Sequence, residues 1–340
     1  MKDRSMVDAA SNKVCLYAML FAFATFVAGC SERLDAGSTR PRGLLPVDER
    51  NPVILTNDGA FDNWLGEYAV LLANSEGKKL AAIVVSASPA WPDLKANFMG
   101  WHDLVDAARQ SGLKPVPEPT ASVNSRLTAP SSGKIEDTTP SRSDGARLIV
   151  ELSAELSLPY RPVLIVTGGA LTDIADAYLM DPSVAERVIV ISSLGALDAT
   201  GAAMGMPNGE MDPWADRIVA TRFRYIQVSA YYDQLADVPN SRLANLPNNA
   251  FGDWMRAKQP KIYDIQVASD QVALLSTWLP GFVVAVQNAA ATLPQSADSG
   301  MAPRLTLDPS GTNQLVTETA GPLASACLWE LLLAPSTFSK

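Results

Sequence analysis

Eight consecutive residues, Thr56-Asn57-Asp58-Gly59-Ala60-Phe61-Asp62-Asn63, gather two carboxylates and two side-chain amides directly after the apolar run Val53-Ile54-Leu55. Folding does not require oxygen-bearing side chains at this density. A hard cation such as Ca²⁺ takes about six to eight oxygen ligands, and this stretch can supply a few of them. A plainer use is also open: Asp62 or Asn63 caps a following helix while its neighbours line a polar loop. Thr167-Gly168-Gly169 has the look of a phosphate-binding loop, but the downstream Gly-Lys-Ser/Thr that would complete one is missing.

The flanking pattern sets where such a turn would lie. Short apolar runs at 53–56, 80–86, 163–167, 188–192 and 225–229 read as buried strands, and a shorter one is expected near 114–117. Helical spacing of apolar residues marks 63–74, 96–110, 171–180 and 213–220. Strands alternating with helices predict an α/β fold: a mostly parallel central sheet flanked by helices, in a single domain. Ligands in such sheets bind beyond the carboxyl ends of the strands, so the loops after Thr56, Ser86, Thr167 and Leu194 are the ones to inspect. Residues 119–145, rich in Ser, Thr, Pro and Gly, read as a mobile surface insertion. Residues 304–317, around Pro309-Ser310-Gly311, read as a hairpin, while 278–291 and 323–333 read as buried helices.

The chain has 340 residues and a net charge of −9, which argues against a broad affinity for nucleic-acid phosphates. Three cysteines and one histidine exclude a Cys/His zinc site of ordinary ligand count. His102 alone could serve a nucleophilic triad, and it follows Trp101 on a helix expected far from the strand-end loops. Lys2, Arg4 and Lys13 lead into an apolar run at 14–28 that meets Gly29-Cys30. That run is too short to span a bilayer and suits a secretory signal. Val27-Ala28-Gly29-Cys30 resembles the bacterial lipobox, whose cysteine carries the lipid. The expected organisation is a signal peptide at 1–29, a polar tether at 30–50 and a folded domain at 51–340. Lipid on Cys30 would anchor the protein to the membrane of the bacterial cell envelope. Cys15 leaves with the signal, and Cys327 alone remains, a buried hydrophobe in an apolar stretch.

The segment at 56–63 resembles the Asp-x-Asp-Pro-Gly-x-Asp-Asp signature of the inosine/uridine-preferring nucleoside hydrolases. Thr167-Gly168-Gly169-Ala170-Leu171-Thr172-Asp173-Ile174-Ala175 is similar to that family's Gly-Pro-Leu-Thr-Asn-Leu-Ala block, and Asp181-Pro182-Ser183-Val184-Ala185-Glu186-Arg187 to its Asp-Pro-x-x-x-x-Arg continuation. Asn208 and Asp212-Pro213 repeat the spacing of its Glu-Phe-Asn-x-x-x-Asp-Pro block. The likeness runs from about Pro52 to the C-terminus.

This resemblance implies an N-ribohydrolase that cleaves the N-glycosidic bond of a nucleoside or related riboside. Asp58 would be the general base and a Ca²⁺ ligand, with Asn63 and the carbonyl of Gly168, or of its neighbour Thr167, also in the metal site. Asp62, Ser88 and Asn208 would hold the sugar, and Trp278 would stack on the base unless it packs into the core. Homo-oligomers are implied as well. The departures are as informative as the matches. Thr56 and Asn63 stand where the family has aspartates, Ser88 where it has a sugar-binding Asn, and Met206 where it has Glu. Trp278-Leu279-Pro280 replaces a late His-Asp-Pro, with Asp264 and Asp270 the nearest upstream carboxylates. Three metal carboxylates thus fall to one, which weakens any calcium site. The alternative function is a catalytically impaired nucleoside- or sugar-binding envelope lipoprotein.

Overall fold

The computed structural model describes residues 47, 50–59, 70–72, 74, 79–122, 125–193, 208–228, 237–258, 265–267, 273, 276–277, 282–293, 302–320 and 333. All of them fall in one compact unit, Gly43–Lys340. The signal, Cys30, all but residue 333 of the expected helix at 323–333 and most of the one at 63–74 lie outside the described residues.

Val53–Asn57 (β1) is buried on both faces, as a strand of consecutive Val, Ile and Leu must be when helices cover both sides of a sheet. Chain order continues through Leu80–Val85 (β2), Leu94–Gln110 (α1), Pro119–Ala121 (β3), Asp144–Leu156 (α2), Val163–Thr167 (β4), Thr172–Met180 (α3), Val184–Arg187 (α4) and Val188–Ser193 (β5). Asn208–Met211 (α5), Pro213–Arg222 (α6), Arg224–Val228 (β6), Asp237–Pro239 (β7), Ala250–Lys258 (α7), Ile265–Val267 (β8), Val283–Thr292 (β9), Arg304–Leu307 (β10) and Asn313–Thr319 (β11) follow. Nine strands form one sheet in the order β10-β9-β11-β6-β5-β4-β1-β2-β3, and β7 pairs with β8 separately. Pairing is parallel from β3 to β11 and antiparallel at β9 and β10. The fold is thus α/β with a mostly parallel central sheet flanked by helices.

The core lies in two layers. Val53 and Leu55 join Trp101 and Leu104 of α1 and Phe251 of α7 in one cluster. Ile54, pointing the other way, joins Ile149 of α2, Ile174 of α3 and Ile218 of α6. No helix among the described residues is long and apolar enough to cross a membrane.

Several local expectations change. Residues 283–291 of the expected helix at 278–291 belong instead to β9, because Val283, Val284 and Val286 favour a strand and both edges find partners, Val286 opposite Val316 and Ala290 opposite Thr306. The expected hairpin at 304–317 is not one. Its two arms, β10 and β11, sit on opposite sides of β9. The strand expected near 114–117 forms later, as β3. Helices α2 and α7 were not anticipated. Ser143 caps α2 by accepting from the Ala146 amide, and Ala146, Ile149 and Ser153 form its buried stripe.

Residues 119–145, expected as a surface insertion, are built into the fold. They supply β3 and the buried side chains of Leu127 and Ile135. The Leu127 amide donates to Asp212 Oδ2 at 2.9 Å, Trp214 Nε1 donates to Thr138 Oγ1 at 3.0 Å, and Arg222 pairs with Glu136.

Buried carboxyls tie these helices together. The Ser122 and Ser143 hydroxyls both donate to Asp173 Oδ1, and Asp176 accepts from the amides of Arg142 and Ser143. Burial pushes the Asp173 carboxyl up to about 6 against the opposing pull of the two serine hydroxyls, with a further rise from Asp176. Asp216 on α6 is wholly buried, neither oxygen has a hydrogen-bond partner, and burial followed by the charges of Asp212 and Glu210 raises it well above the ordinary carboxylate range. The folded Asp173 carboxyl holds its proton more tightly than the unfolded one. Its contribution to stability is therefore complete below the ordinary value of 3.8 and is lost as pH rises to about 6. In urea unfolding between about pH 4 and pH 7, Asp173→Asn should remove on the order of 3 kcal/mol from the wild-type fall in stability.

Candidate active site at the carboxyl ends of the central strands

Strands β1, β2 and β3 progress toward one edge of the sheet, and β4, β5 and β6 toward the other. The reversal falls between β1 and β4, the place where connections diverging from an open α/β sheet generally leave a ligand-binding crevice beyond the strand ends. Asn57, Asp58 and Gly59 leave β1 at that point, and Gly168 and Gly169 leave β4 beside them.

Helix α1 shapes the β1 side. Its Asn97 side-chain amide donates to the carbonyls of Asp58, Ser86 (3.1 Å) and Trp91 (3.0 Å). One turn later Trp101 Nε1 donates to Asn57 Oδ1 at 3.1 Å, and the same oxygen accepts from the Gly59 amide at 2.9 Å. Gly59 has φ +138°, a conformation that favours glycine, and a Cβ there would lie 2.9 Å from Asn97 Oδ1.

The β4 side closes on the same turn. The Gly168 amide donates to the Thr56 carbonyl at 2.9 Å, extending the parallel ladder past the end of β4. A Cβ on Gly169 would stand 2.8 Å from the Asp58 nitrogen and 2.9 Å from its Cβ, so only glycine permits this approach. Thr167 Oγ1 holds the bend, accepting from the Gly169 amide at 3.3 Å. Asp58 is consequently 3 % exposed, and Thr56, where the resemblance expects an aspartate, is buried with no hydrogen-bond partner for its hydroxyl.

Of the other expected site residues, Asn208 is buried at the start of α5, and its amide donates to the Ser193 carbonyl at 2.8 Å, at the carboxyl end of β5. Ser88 closes the turn after β2, its Oγ accepting from the Trp91 amide at 3.2 Å and its own amide donating to the Trp91 carbonyl at 3.1 Å. The structure thus brings Asp58 and Gly168 together at the switch point and sets Asn208 and Ser88 at neighbouring strand ends. Asp62, Asn63, Trp278, Met206, Leu279, Asp264 and Asp270 lie outside the described residues. His102 is on α1, half exposed, with Nδ1 3.5 Å from Asp106.

Sequence reasoning missed Asn97, and it did not foresee the bond from Trp101 to Asn57 or the contact of Gly169, within the 167–175 block, with Asp58. A signal for the first was present: Asn97 interrupts the buried stripe Trp101, Leu104, Val105 and Ala108 of α1, and a polar side chain on such a stripe needs partners. Among the described residues, no group of three or more His, Cys, Asp or Glu side chains could hold a metal ion. Asp58 is the one carboxylate among the described residues of the β1 and β4 turns, and it supplies a single charged oxygen donor group there.

Solved structures share this architecture. A plant nucleoside hydrolase superposes with a TM-score of 0.59 at 18 % identity, over 84 % of this chain and 99 % of that one. An inosine-guanosine nucleoside hydrolase gives 0.61 at 15 % identity, over 82 % and 98 %. The inosine-uridine preferring nucleoside hydrolase from Bacillus anthracis gives 0.58 at 15 % identity, over 83 % and 99 %. The fold is that of the nucleoside hydrolases. No protein-family model and no curated protein sequence matches the chain.

Within this nucleoside hydrolase fold the β1 turn depends on two contacts that a single substitution can remove. Asn97→Ala removes a donor from the carbonyls of Asp58 and Ser86 and one of the donors of the Trp91 carbonyl, and should cost about 1–3 kcal/mol in urea unfolding. Gly169→Ala drives a methyl group into Asp58 and should cost about 1–3 kcal/mol in the same measurement.

Proposed function

We propose that the chain is a divergent N-ribohydrolase acting on nucleosides or related ribosides, with Asp58 as its general base. What carries this reading is the seat of Asp58 at the reversal of strand order, clasped by Asn97 from one side and Gly169 from the other. A carboxylate on a backbone turn held this way, beside the strand-order reversal, is the residue assigned to orient a water molecule and take its proton. Solved proteins of the same fold are called nucleoside hydrolases, which suggests the substrate class.

In this reading the Asp58 carboxylate removes a proton from water, and the water oxygen bonds to the anomeric carbon as the carbon–nitrogen bond breaks. The bond's electron pair leaves with the base, which takes up a proton, and ribose and free base are the products. Charge builds up as in glycoside hydrolysis, on a sugar that is oxocarbenium-like at the transition state. Asp62, Ser88 and Asn208 are assigned to the sugar hydroxyls and Trp278 to the base. Calcium, if taken up by Asp58, Asn63 and the Gly168 carbonyl, is held weakly. Lipid on Cys30 is assigned to anchor the domain at the bacterial cell envelope, a role that rests on the lipobox-like Val27-Ala28-Gly29-Cys30.

One observation favours a second reading, an envelope lipoprotein that binds a nucleoside or sugar without turning it over: Asp58 stands alone as a carboxylate at the described turns. The readings part in a nucleoside panel of inosine, guanosine and uridine, followed by chromatography for released base and by calorimetry for binding. The hydrolase releases base, and Asp58→Asn lowers kcat by about 10²–10⁴-fold with little change in KM. Binding heat without release supports the second reading, and neither heat nor release ends both. Calorimetric titration with Ca²⁺ should show affinity no tighter than about 10⁻⁴ M, weaker still in Asp58→Ala.

A further inference from the structure

Strands β1 to β6 run parallel, so their amino ends share one side of the sheet, opposite the Asp58 turn. Each of the six has a basic residue at its entrance. Arg224 opens β6, and Arg187 and Lys79 directly precede β5 and β2. Arg161 and Arg50 stand two and three positions before β4 and β1, and Lys114 five before β3. A cation in the last turn of a helix answers the helix dipole, a use that covers Arg187 on α4, with Arg109 on α1 and Arg222 on α6. It does not cover Lys79, Lys114 or Arg161, which lie outside helices. Among the described residues these three and Arg224 have no ion-pair partner. At the same end Asp181 pairs with Arg187 at 2.8 Å and Glu118 with Arg109, while Glu155 and Glu186 are exposed acids. The face carries an excess of positive charge on a chain whose net charge is −9.

A tight turn stands in the middle of this row. The Leu158 amide donates to the Arg161 carbonyl at 3.0 Å, and the Arg161 amide donates back to the Leu158 carbonyl at 2.9 Å. Pro159 and Tyr160 form the tip, with Tyr160 70 % exposed and Leu158 43 %. The chain enters the domain beside it: Asn51 Nδ2 donates to the Pro162 carbonyl at 2.8 Å, and the Leu164 amide to the Pro52 carbonyl at 2.8 Å. Cys30 lies twenty positions before Arg50, so an anchor there tethers the domain by this end.

We propose that this face docks on an anionic lipid surface, with Tyr160 in the headgroup layer and the basic row over the lipid phosphates. The proposal rests on the membrane anchor assigned to Cys30 and adds an orientation to it. Anionic lipid attracts each Lys or Arg that lies within about a Debye length of the surface. Tyrosine, with an apolar ring and a polar tip, favours the membrane–water interface. A tether by itself limits distance and not direction; the positive face and its projecting turn select one direction. The carboxyl ends of the strands, and Asp58 with them, then point away from the bilayer, toward dissolved substrate.

Lysine acetylation of the full chain on vesicles, read by mass spectrometry, tests the docking, and flotation of the vesicles tests the anchor. On phosphatidylethanolamine and phosphatidylglycerol at about 7:3, Lys79 and Lys114 should react at least about fivefold more slowly than in neutral detergent micelles. Lys95, exposed at the start of α1 on the Asp58 side, should react equally in both. Phosphatidylcholine vesicles, or about 0.5 M salt, should remove most of the protection. Tyr160→Ser combined with Arg161→Glu should cut it at least about threefold, with circular dichroism unchanged. A chain that does not float with the vesicles overturns the anchor and the proposal together. A chain that floats but acetylates Lys79, Lys114 and Lys95 alike overturns the proposal alone. So does protection that is equal on phosphatidylcholine or indifferent to the double substitution.

Discussion

A single side-chain amide holds the crevice together. The carboxyl ends of parallel strands present carbonyls that the ladder no longer satisfies, and buried carbonyls without donors are costly. Asn97 donates to the carbonyls at the exits of β1 and β2, and with the Ser88 amide it shares a third in the loop after β2. Because Asn97 sits on a 17-residue helix anchored by Trp101 and Leu104 in the core, the rigidity of the helical layer passes directly to the Asp58 turn. The conformation of Gly59 and the Asx bond from Asn57 are consistent with that one constraint.

The opposite wall is made by absence of bulk. Gly169 lets the β4 turn lie against the backbone of Asp58, so the two glycine-bearing turns meet across the reversal in strand order. The most perturbed carboxyls of the described residues lie elsewhere. Asp173 and Asp216 belong to the helical layer on the far face of the sheet, where Asp173 and Asp176 receive the N-terminus of α2 and Asp212 caps α6. A strongly shifted acid often marks a functional site, but structural networks shift acids too, and these hold helices. Asp212 makes the point: its oxygens accept from the Leu127 amide, the Ala215 amide and the Thr172 hydroxyl, binding residues 119–145 to α3 and α6.

Much of the sheet was legible because its strands are buried on both faces. Val53-Ile54-Leu55 and Val163-Leu164-Ile165-Val166 can be read from local composition, since any residue there must be apolar. The Asp58 turn was legible for the complementary reason, polar density where folding needs none. The antiparallel end of the sheet was not. Residues 283–292 are apolar enough for a buried helix, and only the partners supplied by 304–307 and 313–319 make them a strand. Asn97 escaped notice because a lone Asn on a helix is unremarkable until its acceptors, 6, 11 and 39 residues away, are seen around it.

Sequence alone therefore determined the α/β class, the alternation of strands and helices, and the stretch of chain that carries the candidate chemistry. Each of these is a local property, written in hydrophobic period and residue type within a dozen positions. Tertiary structure decided which strand ends become neighbours, and with them the facing of Asp58 by Gly169 and the three carbonyls gathered by Asn97. It also decided that β9 separates β10 from β11, leaving β10 at the edge. Those outcomes depend on pairings between residues far apart in the chain, whose energies no short window of sequence contains.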